Sequence, residues 1–460
     1  MLLWKAKRLF TCTVRGVMLG KRSREDMASG PYFKRNSNWE RQSRPLHRAP
    51  PVRPWVVTSP AIIHDHHKPD VFSIATFNVL AQDLLEDHLG SLYNHCPRQF
   101  LEWEYRKLGL MSLLTSCSAD VLCLQEVQED HYKDMFLPQL QQHGFNGIYQ
   151  KRTGGRFTDG CALFYRHSLF DLVDYKQVQY FNHDNCKVLN RHNVGLIAKL
   201  RMRDGAVCSS DVNSKRQFCV ATTHLLFNPK AGDIKLAQLS VLLAELHRMC
   251  SAPDGSLYAS VLCGDFNCLP HCPLLRFITT GRLEYEGLCA AEIAGYSRKK
   301  NRKIPVPLLP PYLSISQDCR FVVANSTQET TTSNIDSDQK TSTLHQENTK
   351  ESVVDLTNGV PQELATMSHG FNFESAYVVL DGVHSSSATT YHCAAMEMVD
   401  YIFFTPSRDL ANPPNSSSGL RLLARCVLPS NRTLRELGPM PNEFLTSDHL
   451  HLHAQFQLLY

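Results

Sequence analysis

The chain has 460 residues, 43% of them hydrophobic, which is enough for one large α/β domain or two smaller ones. No apolar run approaches the roughly 20 residues that cross a bilayer, which excludes a helical membrane protein and predicts a soluble one. The net charge of +4 is unevenly spread: residues 1–70 carry 14 Lys and Arg against 5 Asp and Glu, and residues 321–371 carry 2 against 7. The remaining body is neutral, which excludes a general polyanion-coating domain and confines any nucleic-acid contact to a local patch.

Residues 1–70 are rich in Arg, Lys, Pro and Ser without periodicity, and read as a basic disordered tail. The stretch before Glu25, the first acid, is similar to a mitochondrial presequence, and "GKRSR" (20–24) to a short nuclear-import patch. From "VFSIATFNVLA" (71–81) the pattern turns globular. "LEWEYRKLGLMSLLTSC" (101–117) predicts a helix with Leu101, Tyr105, Leu108 and Leu113 on its apolar stripe. "ADVLCLQE" (119–126) predicts a strand buried on both faces. Further strands are predicted at "GCALFYR", "VGLIAKL", "FCVATTHL", "SVLCGDFN", "VDYIFFT" and "LHLHAQFQL". "DIKLAQLSVLLAELHRM" (233–249) predicts an amphipathic helix with Asp233 as its N-terminal cap. Helices alternating with buried strands define an α/β layered domain. Residues 321–371 break the pattern: no aromatic lies between Phe321 and Phe371, and polar residues dominate. This stretch reads as a disordered insertion, with the domain resuming at "FNFESAY".

Sixteen cysteines do not make a disulfide scaffold here. Cys123, Cys161, Cys219 and Cys263 fall in strand-like runs, where a free thiol packs as a small hydrophobe. No C-x-x-C occurs, and "CLPHC" (Cys268, His271, Cys272) lacks the further ligands a zinc site needs. This usage predicts a reducing compartment, cytoplasmic or nuclear, with the basic N-terminus leaving mitochondrial import open.

Polar residues collect where strands end. "SIATFN" ends in Asn78, "VLCLQE" in Glu126, and "VATTHL" carries His224, with Asn228 four residues on. "VLCGDFN" ends in Asp265 and Asn267, which share a face if the strand continues. Asp400 opens "VDYIFF", and Asp448 with His449 precedes "LHLHAQF". Any one of these alone is an ordinary turn former or structural His. Six such ends without a Ser or Cys nucleophile motif suit convergence on one cleft and attack of water on a phosphodiester. A hard cation such as Mg²⁺ needs only one or two carboxylates, with Glu126 the first choice. Asp265 is placed to take the proton of the attacking water, and His224 and Asn267 to stabilise phosphoryl charge. Asp400 is placed to hold His449 in one tautomer.

Taken in order, "TFN", "LQEV", "THLLFNP", "GDFN", "VDYIFF" and "SDHLHL" resemble the exonuclease–endonuclease–phosphatase superfamily. "HLLFNPKAGDIKLAQ", "EWEYRK" and "TDGCALFY" are similar to its deadenylase and nocturnin branch. The arginine-rich N-terminus and the polar insertion most resemble the Angel subgroup. The resemblance covers about residues 71–460 less the insertion, and implies a four-layer α/β sandwich with two central mixed sheets flanked by helices. It implies a metal site at Asn78 and Glu126 with Asp448 nearby, and a phosphate contact at His224. It also implies a catalytic pair at Asp265 and Asn267 and an Asp400–His449 pair, with the general base left open between Asp265 and His449. The implied cofactor is Mg²⁺, with Mn²⁺ as substitute. The implied substrates are RNA 3′ ends, of mRNA or tRNA, through deadenylation or removal of a 2′,3′-cyclic phosphate. Phe227, Asn228, Arg152, Arg156 and Asp159 are candidate substrate contacts around the cleft. Nocturnin-like cleavage of a dinucleotide phosphate is a further enzymatic reading. "YRKLGLM" (105–111) fits the Tyr-x4-Leu-apolar pattern that docks on the cap-binding initiation factor, so an adaptor reading stands beside the enzymatic ones. Burial of Tyr105 counts against it.

Overall fold

The computed structural model describes residues 52–58, 70–183, 185–203, 216–296, 302–322, 365–377, 387–407 and 418–460. All of them belong to one compact unit, Pro45–Tyr460. In chain order the strands are β1 (Trp55–Val57), β2 (Val71–Asn78), β3 (Val121–Gln128), β4 (Phe145–Lys151), β5 (Asp159–Arg166), β6 (Phe170–Gln179), β7 (Val194–Met202), β8 (Gln217–His224) and β9 (Ala259–Asp265). They continue as β10 (Arg282–Glu284), β11 (Thr366–Ser368), β12 (Glu374–Ser375), β13 (Thr390–Tyr391), β14 (Met396–Glu397), β15 (Asp400–Phe404), β16 (Gly419–Cys426) and β17 (Leu452–Leu459). One sheet has seven strands in the order β1-β16-β17-β2-β3-β5-β4, and the other has six in the order β12-β15-β9-β8-β7-β6.

Each sheet holds one parallel pair, β2 with β3 and β8 with β9. A parallel pair needs a crossover, which here contains the helices Trp103–Ser116 and Gly232–Cys250. Alternation along β2 sends Phe72 and Ile74 into the layer shared with the second sheet, and Ala75 and Phe77 to the opposite face. On that opposite face Leu110, Met111, Leu114 and Leu140 cover the sheet from two helices. The second sheet is covered by Gly232–Cys250, whose Leu236, Leu239, Leu243 and Leu246 join the main core. The result is the expected four layers. Gln125 crosses the central layer: its amide nitrogen donates to Thr76 Oγ1 at 3.0 Å and to Thr222 Oγ1 at 2.9 Å, tying the sheets together beneath the strand ends.

Several details differ from the sequence reading. Trp55–Val57, assigned to the tail, is an edge strand on β16, with Trp55 edge-on to His453 at 4.6 Å. A three-residue edge strand is too short to show a period. The expected insertion is narrower than 321–371: Phe321 bridges Ile315, and β11 pairs with β10. Residues 323–364, like the presequence-like stretch and "GKRSR", lie outside the described residues. On the helix Trp103–Ser116 the buried stripe is Arg106, Leu110, Met111 and Leu114, while Leu108 is 68% exposed. Asp233 is not a cap; it lies in the first turn, buried, with both oxygens taken by Arg302 at 2.6 and 2.7 Å. That helix is buried nearly all round, not amphipathic. Strands β4, β6 and β16 had no alternation strong enough to read. Among the described residues every cysteine is free, and no helix is long and apolar enough to cross a membrane.

Candidate active site

The parallel pairs place Asn78 and Glu126 at the C-terminal ends of β2 and β3, and His224 and Asp265 at those of β8 and β9. Strand ends of this kind are where open α/β sheets bind ligands. Asp400, the first residue of β15, lies directly opposite Asp265 in the antiparallel register. Asp448 and His449 enter from the loop before β17, clamped by Thr390, whose hydroxyl donates to Asp448 O at 3.0 Å. The eight residues Asn78, Glu126, His224, Asp265, Asn267, Asp400, Asp448 and His449 come together from six segments.

The local backbone is bent to aim them. β3 slips register against β5 between Leu124 and Val127, a bulge that puts Glu126 at φ 58°. Asn267 sits at φ 51° just past the end of β9. Left-handed non-glycine residues cost about 1–3 kcal/mol each and persist where the surroundings hold them. So "GDFN" is a strand-end turn and also part of the cluster. Gly264 is required: at φ +133°, a Cβ there would lie 2.1 Å from Thr223 O. Gly264→Ala is expected to lower stability by about 1–3 kcal/mol through overpacking alone, with the φ strain adding to it. Thermal unfolding measures this, and a wild-type melting temperature would refute the close approach.

Asp265 Oδ2 is the hub. It accepts from Asn78 Nδ2 at 3.2 Å, with His224 Nε2 at 3.5 Å and His449 Nε2 at 3.9 Å. Its other oxygen accepts the Asn267 N–H at 2.9 Å. Burial, and then the charge of Asp400, push its pKa up to about 7. His449 Nδ1 bonds Asp400 Oδ2 at 2.8 Å. Burial opposes charge on His449, but Asp400, Asp448 and Asp265 outweigh it and hold the imidazole well above its usual range. Burial drives His224 down to about 4, so its contacts with Asp265 and Glu126 are not ion pairs near neutrality. Glu126 is raised by burial and then by Asp448.

Oxygen donors suited to a hard divalent cation are present. Asp448 Oδ1 is buried without a hydrogen-bond partner, while Oδ2 accepts from Tyr93 Oη at 2.8 Å. Glu126 Oε1 takes Asn78 Nδ2 at 2.9 Å, and Oε2 takes the Ala81 N–H at 3.0 Å. Mutual repulsion among these buried carboxylates is the field a cation relieves. Asn78 offers its N–H groups to Glu126 and Asp265, and its oxygen accepts from Leu80 N at 3.0 Å. Facing two carboxylates, the amide turns its NH₂ toward them and orients Glu126. Asp265, Asp400 and His449 also offer atoms within 4.8 Å of one another.

Three supports were not read from the sequence. Arg106 is fully buried and donates to Val79 O, Leu80 O, Gln82 Oε1 and Thr446 O at 2.6–2.8 Å, pinning the β2 exit to the segment before Asp448. Lys235, fully buried, donates to Asn267 O beneath the strained turn, and burial lowers its pKa to about 8. Tyr93 holds Asp448. A lysine between Ile234 and Leu236 on an apolar helix was a usable signal; Tyr93 offered none.

The candidate substrate contacts divide. Phe227 is 62% exposed on the loop after β8. Asn228 is exposed, but its side chain closes its own turn on Lys230 N at 2.9 Å. Asp159 is buried and paired with Arg152 at 3.2 Å, so it is the counter-ion of Arg152 and not a free contact. Arg156 is exposed and lies over the Phe157 ring.

Two mixed sheets whose strand ends bring carboxylates, amides and imidazoles into one buried cluster define a metal-assisted phosphoesterase class. The chain belongs to the Endonuclease/Exonuclease/phosphatase family, whose model matches residues 75–449. Within it, the chain is 39% identical to the human protein angel homolog 2 over 396 residues, covering 84% of this chain and 69% of that one. It is 33% identical to the human protein angel homolog 1 over 426 residues, covering 84% and 62%. The crystal structure of ANGEL2, a 2′,3′-cyclic phosphatase, in complex with adenosine-2′,3′-vanadate superposes with a TM-score of 0.70 at 36% identity. That match covers 88% of this chain and 98% of the other. The likeness to the Angel subgroup drawn from the sequence holds.

Proposed function

We propose that this chain is a divalent-cation-dependent phosphoesterase of RNA 3′ ends whose preferred reaction is hydrolysis of a 2′,3′-cyclic phosphate. The observation that carries the reading is the meeting of Asp265 with the Asp400-paired His449, whose Nε2 lies 3.9 Å from Asp265 Oδ2. The cyclic-phosphatase relative at 36% identity supports the choice of substrate.

Asp265 takes a proton from water as its oxygen attacks phosphorus. The bond from phosphorus to one ribose oxygen breaks, and His449 gives that oxygen its proton, leaving a phosphomonoester. A base near neutrality beside a charged imidazole is the pairing this exchange needs. Asp400 accepts the His449 Nδ1–H and offsets the imidazolium charge, leaving the Nε2 proton as the one to be given. His224, neutral, and Asn267, whose amide also donates to Leu225 O at 3.0 Å, lie beside Asp265 to donate to phosphoryl oxygens. Glu126 and Asp448 would hold the cation, Mg²⁺ by choice and Mn²⁺ as substitute; when bound it polarises a phosphoryl oxygen.

The same chemistry applied to an internucleotide bond gives 3′–5′ trimming, the second reading. The test offers purified chain with Mg²⁺ a poly(A)-tailed RNA, a plain 3′-hydroxyl RNA, a 2′,3′-cyclic-phosphate RNA and a nicotinamide dinucleotide phosphate. Turnover of the cyclic end with the others left intact is expected, and shortening of the tail alone would transfer the assignment to deadenylation. The adaptor reading loses support: Leu110 and Met111 of "YRKLGLM" are buried, and the half-buried Tyr105 donates to Glu443 O at 2.7 Å. The free cysteines support a reducing compartment, cytoplasmic or nuclear.

A further inference from the structure

Beside the catalytic cluster, the β4–β5 hairpin and the segment between β6 and β7 build a stacked surface that the proposed hydrolysis does not use. Arg152 Cζ lies 3.9 Å from the centre of the Phe157 ring and Arg156 Cζ 4.7 Å from it. Phe157 is 5.4 Å from His192, which stacks on Phe181 at 4.3 Å with planes 16° apart. Thr153 Oγ1 bonds His192 Nδ1 at 2.7 Å, and Gly154, at φ +84°, lets the hairpin close on that ring. All three rings are half-buried, fixed in place with part of their surface open.

At its inner end this surface reaches the reacting centre. Arg152, Asp159 and His224 line one narrow crevice, and Arg152 Nε is buried there without a partner. At its outer end Arg156 has no carboxylate partner among the described residues, whereas Lys151 shares Glu129, 3.4 Å away, with Lys133.

We propose that Arg156, Phe157, His192 and Phe181, with Arg152 at the inner end, form a binding ledge for single-stranded RNA. It takes the nucleotides on the 5′ side of the reacting terminus. This rests on the RNA reading above, because a 3′ end held at Asp265 leaves the strand only the 5′ direction in which to continue. Unpaired bases stack on aromatic and guanidinium planes, and an unneutralised arginine takes backbone phosphate. A duplex end is the wrong shape for the ledge, since its bases are already stacked on each other. The neutral body of the chain agrees with one local patch instead of a general basic surface.

The test is fluorescence anisotropy of the full chain with a labelled single-stranded RNA of about ten nucleotides, in EDTA so that nothing is turned over. Wild type is expected to bind it and to bind a blunt RNA duplex at least tenfold more weakly. Arg156→Glu should weaken strand binding about tenfold and flatten the dependence of log Kd on log salt by about 1 between about 50 and 200 mM. Phe157→Ala should weaken binding about tenfold with the salt slope kept. Phe157→Leu, which preserves volume in the hairpin, should weaken it too if stacking is the cause. Wild-type affinity in Arg156→Glu or in Phe157→Leu, or equal binding of strand and duplex, would overturn the ledge. Because binding is read without turnover, an inert enzyme that still binds the strand through these residues would count against the proposed reaction alone.

Discussion

Asp265→Asn is expected to lower kcat for RNA-end hydrolysis by about 10²–10⁴-fold, the range for loss of a general base. The amide is nearly isosteric and its oxygen still accepts the Asn267 N–H now bonded at 2.9 Å. Its NH₂ would face Asn78 Nδ2, which loses a 3.2 Å bond, while the cost of burying a carboxylate next to Asp400 disappears. The two effects oppose each other, so the melting temperature should stay within about 4 °C of wild type. Low activity with a retained fold would place Asp265 in the chemistry. Wild-type turnover would return "VLCGDFN" to an ordinary strand and its turn, and low activity in an unfolded variant would assign Asp265 to the scaffold.

Chelation is expected to abolish turnover, with Mg²⁺ or Mn²⁺ restoring it and Ca²⁺ restoring about a hundredth or less. Glu126 and Asp448 are hard oxygen donors, and Asp448 Oδ1 is buried without a partner, so the donor set fits a small oxygen-seeking cation. Ca²⁺ holds its ligands further away and more loosely, and a 1 Å misplacement of reacting groups costs about 10²-fold. A second readout needs no activity: cation addition should raise the melting temperature of wild type and not that of Glu126→Gln, because ligand binding to the folded state alone stabilises it. Full activity in EDTA would refute metal dependence.

The candidate site was largely legible because its residues sit at the ends of continuous apolar runs, and such runs are read from local pattern. Asn78, Glu126, His224, Asp265 and Asp400 each lie at the end of a strand that the structure contains, and His449 just before one. Role was less legible than position. Asn78 was expected in the metal site, and which of its two amide atoms faces the carboxylates is set by Glu126 and Asp265. Asp159 was expected to meet substrate, yet it is the buried partner of Arg152. In both cases a neighbour distant in the chain decides which atom faces the cleft. The helix Trp103–Ser116 misled for another reason. Leucines occur on both sides of it, so period alone did not choose between a stripe through Leu108 and the buried one through Leu110, Met111 and Leu114.

The sequence by itself determined the α/β class, most of the long strands and the order of the polar strand ends, because these depend on hydrophobic periodicity and turn chemistry within a few residues. Only the tertiary structure decided that those ends meet, that β3 bulges to aim Glu126, and that Tyr93 holds Asp448 across 355 positions of chain. It also decided the protonation of the cluster. A carboxyl reaches a pKa near 7 and an imidazole falls to about 4 through burial and the charges placed beside them. Dielectric and charge proximity are properties of the packed interior, set by segments far apart in the chain, and no local stretch of sequence encodes them.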